Sequence, residues 1–160
     1  MMPLKPNATI LEVGCGRGAG AKLIHKFFKP SQLHILDLDI KMIQGAKTYL
    51  SEATEGTMTM YVGDSIDLPF KSNILDALFG FGFLHHVPNW RRAVSEIARV
   101  LKSGGVYYME ELYPSLYQNV ITRHILLHPE HDRFASKDLR SELEAVGLSL
   151  INSFELKKMG

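Results

Sequence analysis

Apolar runs of strand length alternate with amphipathic helix patterns along the chain. The first run, Thr9–Val13, predicts a buried strand, and a glycine-rich turn and a helix pattern follow it directly. The clearest helix is Pro88–Leu101, where one apolar stripe recurs every three or four positions and Ser103 to Gly105 ends it. The other predicted strands are His34–Asp39, Thr57–Val62, Ile74–Phe81, Val106–Met109 and Leu148–Leu156, and the other helices are Lys41–Leu50, Leu116–Leu127 and Lys137–Val146, the last with Ser136 as its N-cap.

This alternation predicts an α/β fold in which a mostly parallel sheet has helices on both faces. The chain has 160 residues, so we expect residues 1–160 to form a single domain. In such sheets ligands bind beyond the carboxyl ends of the strands, where the strand order reverses. The glycine turn and several acidic residues fall at those predicted ends, which places the candidate site there.

The bulk composition narrows the class of partner. The formal net charge is +1 and no run of like charges stands out, which argues against a nucleic-acid partner. No apolar stretch reaches transmembrane length, and the N-terminus lacks the apolar core of a signal peptide. We therefore expect a cytoplasmic protein without a membrane partner.

Cysteine and histidine give little support to thiol or metal chemistry. Cys15 is the only cysteine, and a nucleophilic thiol would need a base that the sequence does not provide. His124 and His128 suit a helix-borne pair of ligands, but Pro129 breaks the helix before His131 and no acid completes the set. We expect no metal site.

The turn after the first strand carries Gly14, Gly16 and Gly18, which lets the backbone turn tightly and lets a ligand approach it. The glycines and Ala19 also fit the dinucleotide fingerprint, so their spacing alone leaves a nicotinamide oxidoreductase open. Glu12 argues against that reading, because a carboxylate at this turn would repel a pyrophosphate but not a positively charged ligand.

Two further acids follow the next two strands. Asp37 ends the second strand, where a carboxylate can accept both hydroxyls of a ribose in NAD-binding and adenosyl-binding folds alike. Asp64 follows the third strand and can accept a hydrogen bond from an exocyclic amine such as adenine N6. The backbone N–H of Ser65 could meet a ring nitrogen. The pair of acids favours a ligand that contains adenosine.

With these residues in place, the chain resembles the class I S-adenosylmethionine-dependent methyltransferases that act on small molecules. The resemblance runs from about Ile10 to Gly147. It implies a Rossmann-like three-layer sandwich, S-adenosylmethionine as cofactor, S-adenosylhomocysteine as product and a small-molecule methyl acceptor. The matching segments are LEVGCGRG, LDLD, GDSIDLPF, LDALFGFGFLHHV and VLKSGGVYYMEE, in the family's order and spacing.

The resemblance also implies where the cofactor lies. Its methionine end would lie over the glycine turn, and its ribose and adenine would lie beyond the second and third strands. The implied contacts are Glu12, Gly14, Cys15 and Gly16 at the turn, Asp37 for the ribose, Leu38, Asp64 and Ser65 for the adenine, and Gly80 and Phe81 on the opposite side.

Methyl transfer from a sulfonium needs mainly orientation and a dry site, and it needs a general base only when the acceptor must lose a proton. Candidates for that base are His85 and His86, which follow the fourth strand, and Glu110 at the end of the fifth, where one of Glu110 and Glu111 could face the substrate. The alternative for the two histidines is that they only pack or cap the following loop, and for Glu110 that it is a solvated carboxylate.

Two departures from the family bear on function. Few residues precede the first predicted strand, where relatives carry cap helices, and we expect a sheet without those helices and without the family's usual seventh strand. An unfilled sheet edge is a pairing surface, so we also consider a homodimer. The leading hypothesis is a methyltransferase for a small molecule, and the alternative is a catalytically inactive methyltransferase-like module for binding or assembly.

Overall fold

The computed structural model of the protein describes residues 4–50, 57–111 and 134–154. Five strands and four α-helices lie in these ranges, together with a short 3₁₀ turn at Leu84–His86. The strands are β1 (Thr9–Val13), β2 (Gln32–Asp37), β3 (Met58–Val62), β4 (Leu75–Phe81) and β5 (Leu101–Glu110), and the helices are α1 (Ala19–Phe28), α2 (Ile40–Leu50), α3 (Trp90–Val100) and α4 (Ser136–Ala145).

The described strands form one parallel sheet in the order β3-β2-β1-β4-β5. From β1 the chain runs outward through β2 to β3 and then crosses back to β4 on the other side of β1. The strand order therefore reverses between β1 and β4, where open parallel sheets bind their ligands. The predicted α/β fold with a parallel sheet is confirmed.

Alternate residues of the strands pack into two separate cores, as the period of two requires. On one face Ile10 and Phe79 pack with Ile24 of α1 and Leu50 of α2. The opposite face packs against α3, whose Trp90 belongs to the second core. Helices therefore cover both faces of the sheet and make a three-layer sandwich. No helix in the described ranges is long and apolar enough to cross a lipid bilayer.

The predicted element bounds are wrong where polar residues take over at a strand or helix end. Strand β2 stops at Asp37, and the Asp39 carboxylate instead accepts the Lys41 N–H at 2.8 Å where α2 begins. At the start of α3 the Asn89 side chain accepts the Arg92 N–H. Residue 135, with the Asp138 carboxylate accepting its N–H at 2.9 Å, caps α4 in place of Ser136.

The segment Ser103 to Gly105 does not end α3, contrary to the prediction. The helix ends at Val100 and β5 starts at once at Leu101, so the two glycines lie inside the strand. The pairing with β4 shifts there, and Gly104 adopts a φ of +76°, so this irregularity absorbs the extra residues.

The chain after α4 also departs from the prediction of a sixth strand at Leu148–Leu156. Residues 148–154 have no regular secondary structure, and residues 155 and 156 lie outside the described ranges. The predicted helix Leu116–Leu127 and the histidines at 124, 128 and 131 lie outside them as well.

Candidate functional site

The glycine turn after β1 is tied to the neighbouring strand by its backbone. The N–H groups of Gly14 and Cys15 both donate to the Leu36 carbonyl, at 2.8 and 3.1 Å. Gly14 and Gly16 have φ angles of +68° and +52°, which L-residues with a side chain adopt only at a cost. A Cβ on Gly14 would also overlap the Phe83 side chain, so glycine is required there for two independent reasons.

Asp37 joins the end of β2 to this turn. One carboxylate oxygen accepts the Gly16 N–H at 2.9 Å, and the other accepts the Asp39 N–H at 2.9 Å. A carboxylate has about four lone-pair sites, so these two bonds leave acceptor capacity for a ligand. The predicted ribose-binding residue thus lies half-buried at the end of β2, beside the glycine turn, and is held in a fixed orientation.

Glu12, in β1, is 2% exposed, and its carboxylate lies against the first turn of α1. The Ala21 N–H donates to its carboxylate, and Gly20 has no room for a Cβ because the carboxylate occupies that space. The second carboxylate oxygen, Oε2, has no hydrogen-bond partner among the described residues. Burial raises the pKa of Glu12 to about 8, and the neighbouring charge of Asp37 adds to the rise. Glu12 is therefore largely protonated at neutral pH.

Cys15 is buried beneath the same turn, and its thiol donates to the Gly16 carbonyl at 3.6 Å. Burial raises the pKa of Cys15 to about 12, and the charges of Glu12 and Asp37 add to that effect. The thiol stays protonated, which does not suit a nucleophile. A contact of Cys15 with a ligand would therefore involve its backbone.

The loop after β3, residues 63–74, carries Asp64 and Ser65. The Gly63 N–H donates to the Asp37 carbonyl at 3.0 Å, so the loop starts beside the end of β2. The Asp64 carboxylate accepts the Ile66 N–H at 3.1 Å through one oxygen, and Ser65 is buried. The structure therefore brings Asp37 and Asp64 to adjacent strand ends.

The two predicted site residues at the end of β4, Gly80 and Phe81, differ in how closely other side chains surround them. A Cβ on Gly80 would meet the Phe83 ring and would lie 3.0 Å from the Tyr107 hydroxyl, so the space beside Gly80 is filled by these side chains. Phe81, in contrast, is 40% exposed, and Leu38 at the end of β2 is 70% exposed. These two apolar side chains are therefore exposed at the carboxyl ends of β2 and β4.

Phe83 covers both Gly14 and Gly80 and was not predicted as a site residue. The repeated Gly-Phe pairs of GFGF were the only signal for it, and they do not say which phenylalanine turns inward.

The three candidate bases are separated by burial. Glu110 and His86 are exposed, whereas the His85 side chain is only 5% exposed. His85 Nδ1 lies 2.8 Å from a carboxylate oxygen of Glu111, which is 1% exposed and whose other oxygen accepts the Leu84 N–H at 2.9 Å. The carboxylate that faces inward is thus that of Glu111, the residue directly after β5, and not that of Glu110. Glu111 contacts the 3₁₀ turn at Leu84–His86.

The described residues contain no group of three histidine, cysteine or carboxylate side chains placed to hold a metal ion. The site assembled here is instead a set of carboxylates and open apolar side chains around a glycine turn. It spans the carboxyl ends of β1, β2, β3 and β4.

Comparison with known proteins identifies sequences and structures that are similar to this chain. A family model described as a methyltransferase domain matches residues 11–109. The chain is 33% identical over 120 residues to sterol 24-C-methyltransferase ERG6B of Gibberella zeae, covering 72% of this chain and 31% of that protein. It is 32% identical over 105 residues to the fatty-acid O-methyltransferase of Mycolicibacterium smegmatis, covering 66% of this chain and 37% of that protein. The chain spans about a third of the length of these curated relatives.

A solved structure with the same fold is that of the [4+2]-cyclase SpnF, with a TM-score of 0.75 and 24% identity over 90% of this chain and 53% of that one. At this identity the likeness speaks for the fold alone. The family match, however, covers more than half of the chain and includes the end of β1, the glycine turn, Asp37, Asp64 and β4. The chain therefore belongs to the class I S-adenosylmethionine-dependent methyltransferase family.

Proposed function

We propose that this protein binds S-adenosylmethionine and transfers its methyl group to an apolar small molecule. The observation that carries the proposal is the pair of carboxylates at adjacent strand ends. Asp37 is oriented by the Gly16 N–H, and the loop that carries Asp64 is joined to the Asp37 carbonyl through Gly63. A ribose and an adenine that lie side by side along this edge of the sheet need one acceptor each, in the order of Asp37 and Asp64.

The residues of the glycine turn fit the cationic end of this cofactor. Glu12 has a buried carboxylate oxygen without a hydrogen-bond partner among the described residues. Its pKa stays raised because no basic side chain in the described part of the chain acts to lower it. A positive ligand favours the ionised form of a buried carboxyl group of this kind, whereas a negative ligand opposes its ionisation. The pyrophosphate of a nicotinamide dinucleotide would lie at this same turn, so Glu12 supports an adenosyl cofactor over a dinucleotide.

The cofactor would supply a methyl group already activated by its sulfonium, and the protein would supply position and exclusion of water. The glycine turn, with Gly14, Cys15 and Gly16, would hold the methionine end with its backbone. Asp37 would accept the ribose hydroxyls, and Leu38 would cover one face of the adenine. Asp64 and Ser65 would meet the adenine edge, and Gly80 and Phe81 would line the opposite side.

The proposed acceptor is apolar. The names of the two relatives above give a sterol and a fatty acid as their substrates. In this chain Phe81 adds an exposed aromatic side chain at the switch point, where an apolar acceptor could lie against it. His85, oriented by the buried Glu111, would serve as the base if the acceptor must lose a proton. The formal net charge of +1 does not favour a nucleic-acid acceptor.

A second function, binding without catalysis, is favoured by one observation. A cyclase shares this fold, so the fold does not by itself require methyl transfer. This alternative predicts the same cofactor affinity as the enzyme, without turnover on any acceptor.

Calorimetric titration with S-adenosylmethionine, S-adenosylhomocysteine and NAD tests the proposal. We expect both adenosyl ligands to bind and NAD not to bind. Asp37→Ala and Asp64→Ala should each weaken binding about tenfold or more, or ~1.4 kcal/mol, because each removes acceptors for charge-assisted or neutral hydrogen bonds. The control is Asp76→Asn, which changes a carboxylate that lies at the amino end of β4 and pairs with Lys102.

Two results would overturn parts of the proposal. Absence of adenosyl binding up to millimolar concentration would remove the cofactor assignment. Binding with no transfer of a labelled methyl group to any sterol, fatty acid or other lipid in a panel would favour the inactive module.

A further inference from the structure

The loop at residues 63–74 carries the proposed adenine-binding residues without any helix or strand of its own. Within it the Asp67 N–H donates to the Asp64 carbonyl at 3.2 Å, and the Phe70 N–H donates to the Leu68 carbonyl at 2.7 Å. These local turns shape the loop but do not fix its place on the protein. Its middle part is attached by polar contacts to α3 and by the Leu68 side chain, which lies in the core.

Glu96, in the middle of α3, makes the first attachment. The residue is 3% exposed, and one carboxylate oxygen accepts the Leu68 N–H at 2.9 Å. A buried carboxylate is costly unless it is paired and hydrogen-bonded. The guanidinium of Arg99, one turn further along the helix, satisfies this need and lowers the pKa of Glu96 below its usual value.

Arg99 makes the second attachment, with donors on both sides of its planar group. Its Nε and Nη2 donate to the two Glu96 oxygens at 2.8 and 2.7 Å. Its Nη2 also donates to the Leu68 carbonyl at 3.1 Å, and its Nη1 donates to the Phe70 carbonyl at 2.8 Å. A lysine ammonium has three donors and no fork, so it cannot reproduce these contacts.

Both side chains therefore grip the loop backbone at two residues, Leu68 and Phe70, that lie four and six positions after Asp64. The last part of the loop is held separately, because the N–H groups of Asn73 and Ile74 donate to the carbonyls of Arg99 and Val100 at 3.0 Å. The helix itself is anchored by its apolar stripe. Arg92 Nε donates to the Ile66 carbonyl at 3.2 Å, so the part of the loop next to Ser65 keeps one polar contact. Loss of the Glu96 and Arg99 contacts would loosen the loop backbone around Leu68 while helix and sheet stay in place.

We propose that Glu96 and Arg99 are positioning residues that set the selectivity for adenine by fixing the loop that presents Asp64 and Ser65. This inference rests on the proposed function, because it needs Asp64 to face the adenine edge. A tethered loop holds the Asp64 carboxylate where it accepts a hydrogen bond from the exocyclic amine of adenine. The same carboxylate would repel a carbonyl oxygen in place of that amine. A loosened loop loses that discrimination, although contacts to the ribose and the methionine end remain.

The test compares two ligands that differ only at the base. Calorimetry gives the dissociation constants of S-adenosylhomocysteine and S-inosylhomocysteine, in which the exocyclic amine is replaced by a carbonyl oxygen. Arg99→Lys keeps the positive charge but loses the fork, and Glu96→Gln removes the charge that holds Arg99. We expect each variant to weaken S-adenosylhomocysteine binding about fivefold to tenfold and the inosyl ligand less than about twofold.

The matched control is Lys102→Gln, which removes an ion pair with Asp76 at 2.8 Å on the opposite, amino end of the sheet. It should leave both dissociation constants unchanged. Thermal melting and far-UV circular dichroism show which variants are folded at the temperature of the titration, and the ratio of the two constants is taken only for those. Arg99→Lys, which keeps a cation beside Glu96, serves if Glu96→Gln does not fold.

The outcomes separate this inference from the function on which it rests. If the wild type binds neither ligand, or if Asp64→Ala leaves selectivity unchanged, the adenine-edge assignment fails. If Asp64→Ala abolishes selectivity while a folded Arg99→Lys keeps the wild-type ratio, only the positioning role is overturned. Equal loss of affinity for both ligands also overturns it, since that is the effect of general loosening.

Discussion

Glu12 and Glu96 are both buried in the described structure, at 2% and 3% exposure, yet their pKa values are shifted in opposite directions. Glu96 has a guanidinium against both its oxygens, which lowers its pKa. Glu12 has a single backbone donor, and burial raises its pKa to about 8. The Glu96 carboxylate is paired with a cation of the protein itself, whereas the Glu12 carboxylate lies where the positive charge of the proposed cofactor would be.

The difference identifies which of two buried acids is structural. A carboxylate that the protein fully pairs adds to stability at neutral pH, whereas one left without a cation reduces it. Proteins tolerate such a cost mainly at functional sites. Glu12 therefore supports the ligand assignment more directly than the glycine pattern, which many nucleotide-binding proteins share.

The largest expected effect is on stability as a function of pH, in Glu12→Gln. In the wild type the folded protein holds the Glu12 proton up to about pH 8, while the unfolded chain releases it near 4.5. Unfolding in this window releases a proton, so raising the pH favours unfolding. The free energy of unfolding of the wild type, relative to Glu12→Gln, should fall by on the order of 3 kcal/mol between pH 5 and pH 8.

Urea denaturation of both proteins across this range measures the difference and cancels the other titrating groups. Above about pH 9 the difference should stay constant, since Glu12 is then ionised in both states. A difference that is flat from pH 5 to 8 would mean that Glu12 is ionised in the folded protein, and the contrast with Glu96 would disappear.

The next effect concerns the paired acid. Arg99→Ala leaves Glu96 buried with a backbone donor and no bidentate cation, so the free energy of unfolding should fall by about 2–3 kcal/mol. This is below the usual range for breaking a buried pair, because the Arg99 side chain is 34% exposed. Glu96→Gln with Arg99→Ala should be less destabilised than the sum of the two single variants, as a double-mutant cycle at pH 7 can measure.

The pH dependence of this pair has the opposite sign to that of Glu12. The pKa of Glu96 is lower in the folded protein than the unfolded value of 4.5. Its contribution to the free energy of unfolding is therefore present above pH 4.5 and is lost as the pH falls through the lower, folded value. Additive effects of the two substitutions would show that the ion pair contributes nothing as a pair.

The sequence predicts one of these acids far better than the other. Glu12 stands two residues before the glycine turn, so its place at the site follows from strand and turn alone. Glu96 and Arg99 look like an ordinary exposed pair on a helix, because they lie off the main apolar stripe. Their burial depends on the path of the loop at 63–74, which no periodicity encodes.

A similar limit applies to the end of β5. The pattern locates the strand but does not say where its alternation is interrupted. The irregularity between the pairs Leu75–Leu101 and Ala77–Val106 is one such interruption. At the other end of the strand the sequence leaves Glu110 and Glu111 as alternatives, and Glu111 is the residue that contacts His85. Local geometry of one or two residues decides such assignments.

The smallest expected effect links Glu12 to the ligand. If the bound cofactor brings its positive charge to this carboxylate, binding lowers the pKa of Glu12 and releases its proton. Affinity for S-adenosylmethionine should then rise about fivefold between pH 7 and pH 8, or ~1 kcal/mol, and the Glu12→Gln variant should lack this rise. Calorimetry in two buffers with different ionisation enthalpies counts the released protons directly. A proton count near zero in the wild type, with tight binding, would mean that the cation lies elsewhere and that Glu12 is buried for a structural reason after all.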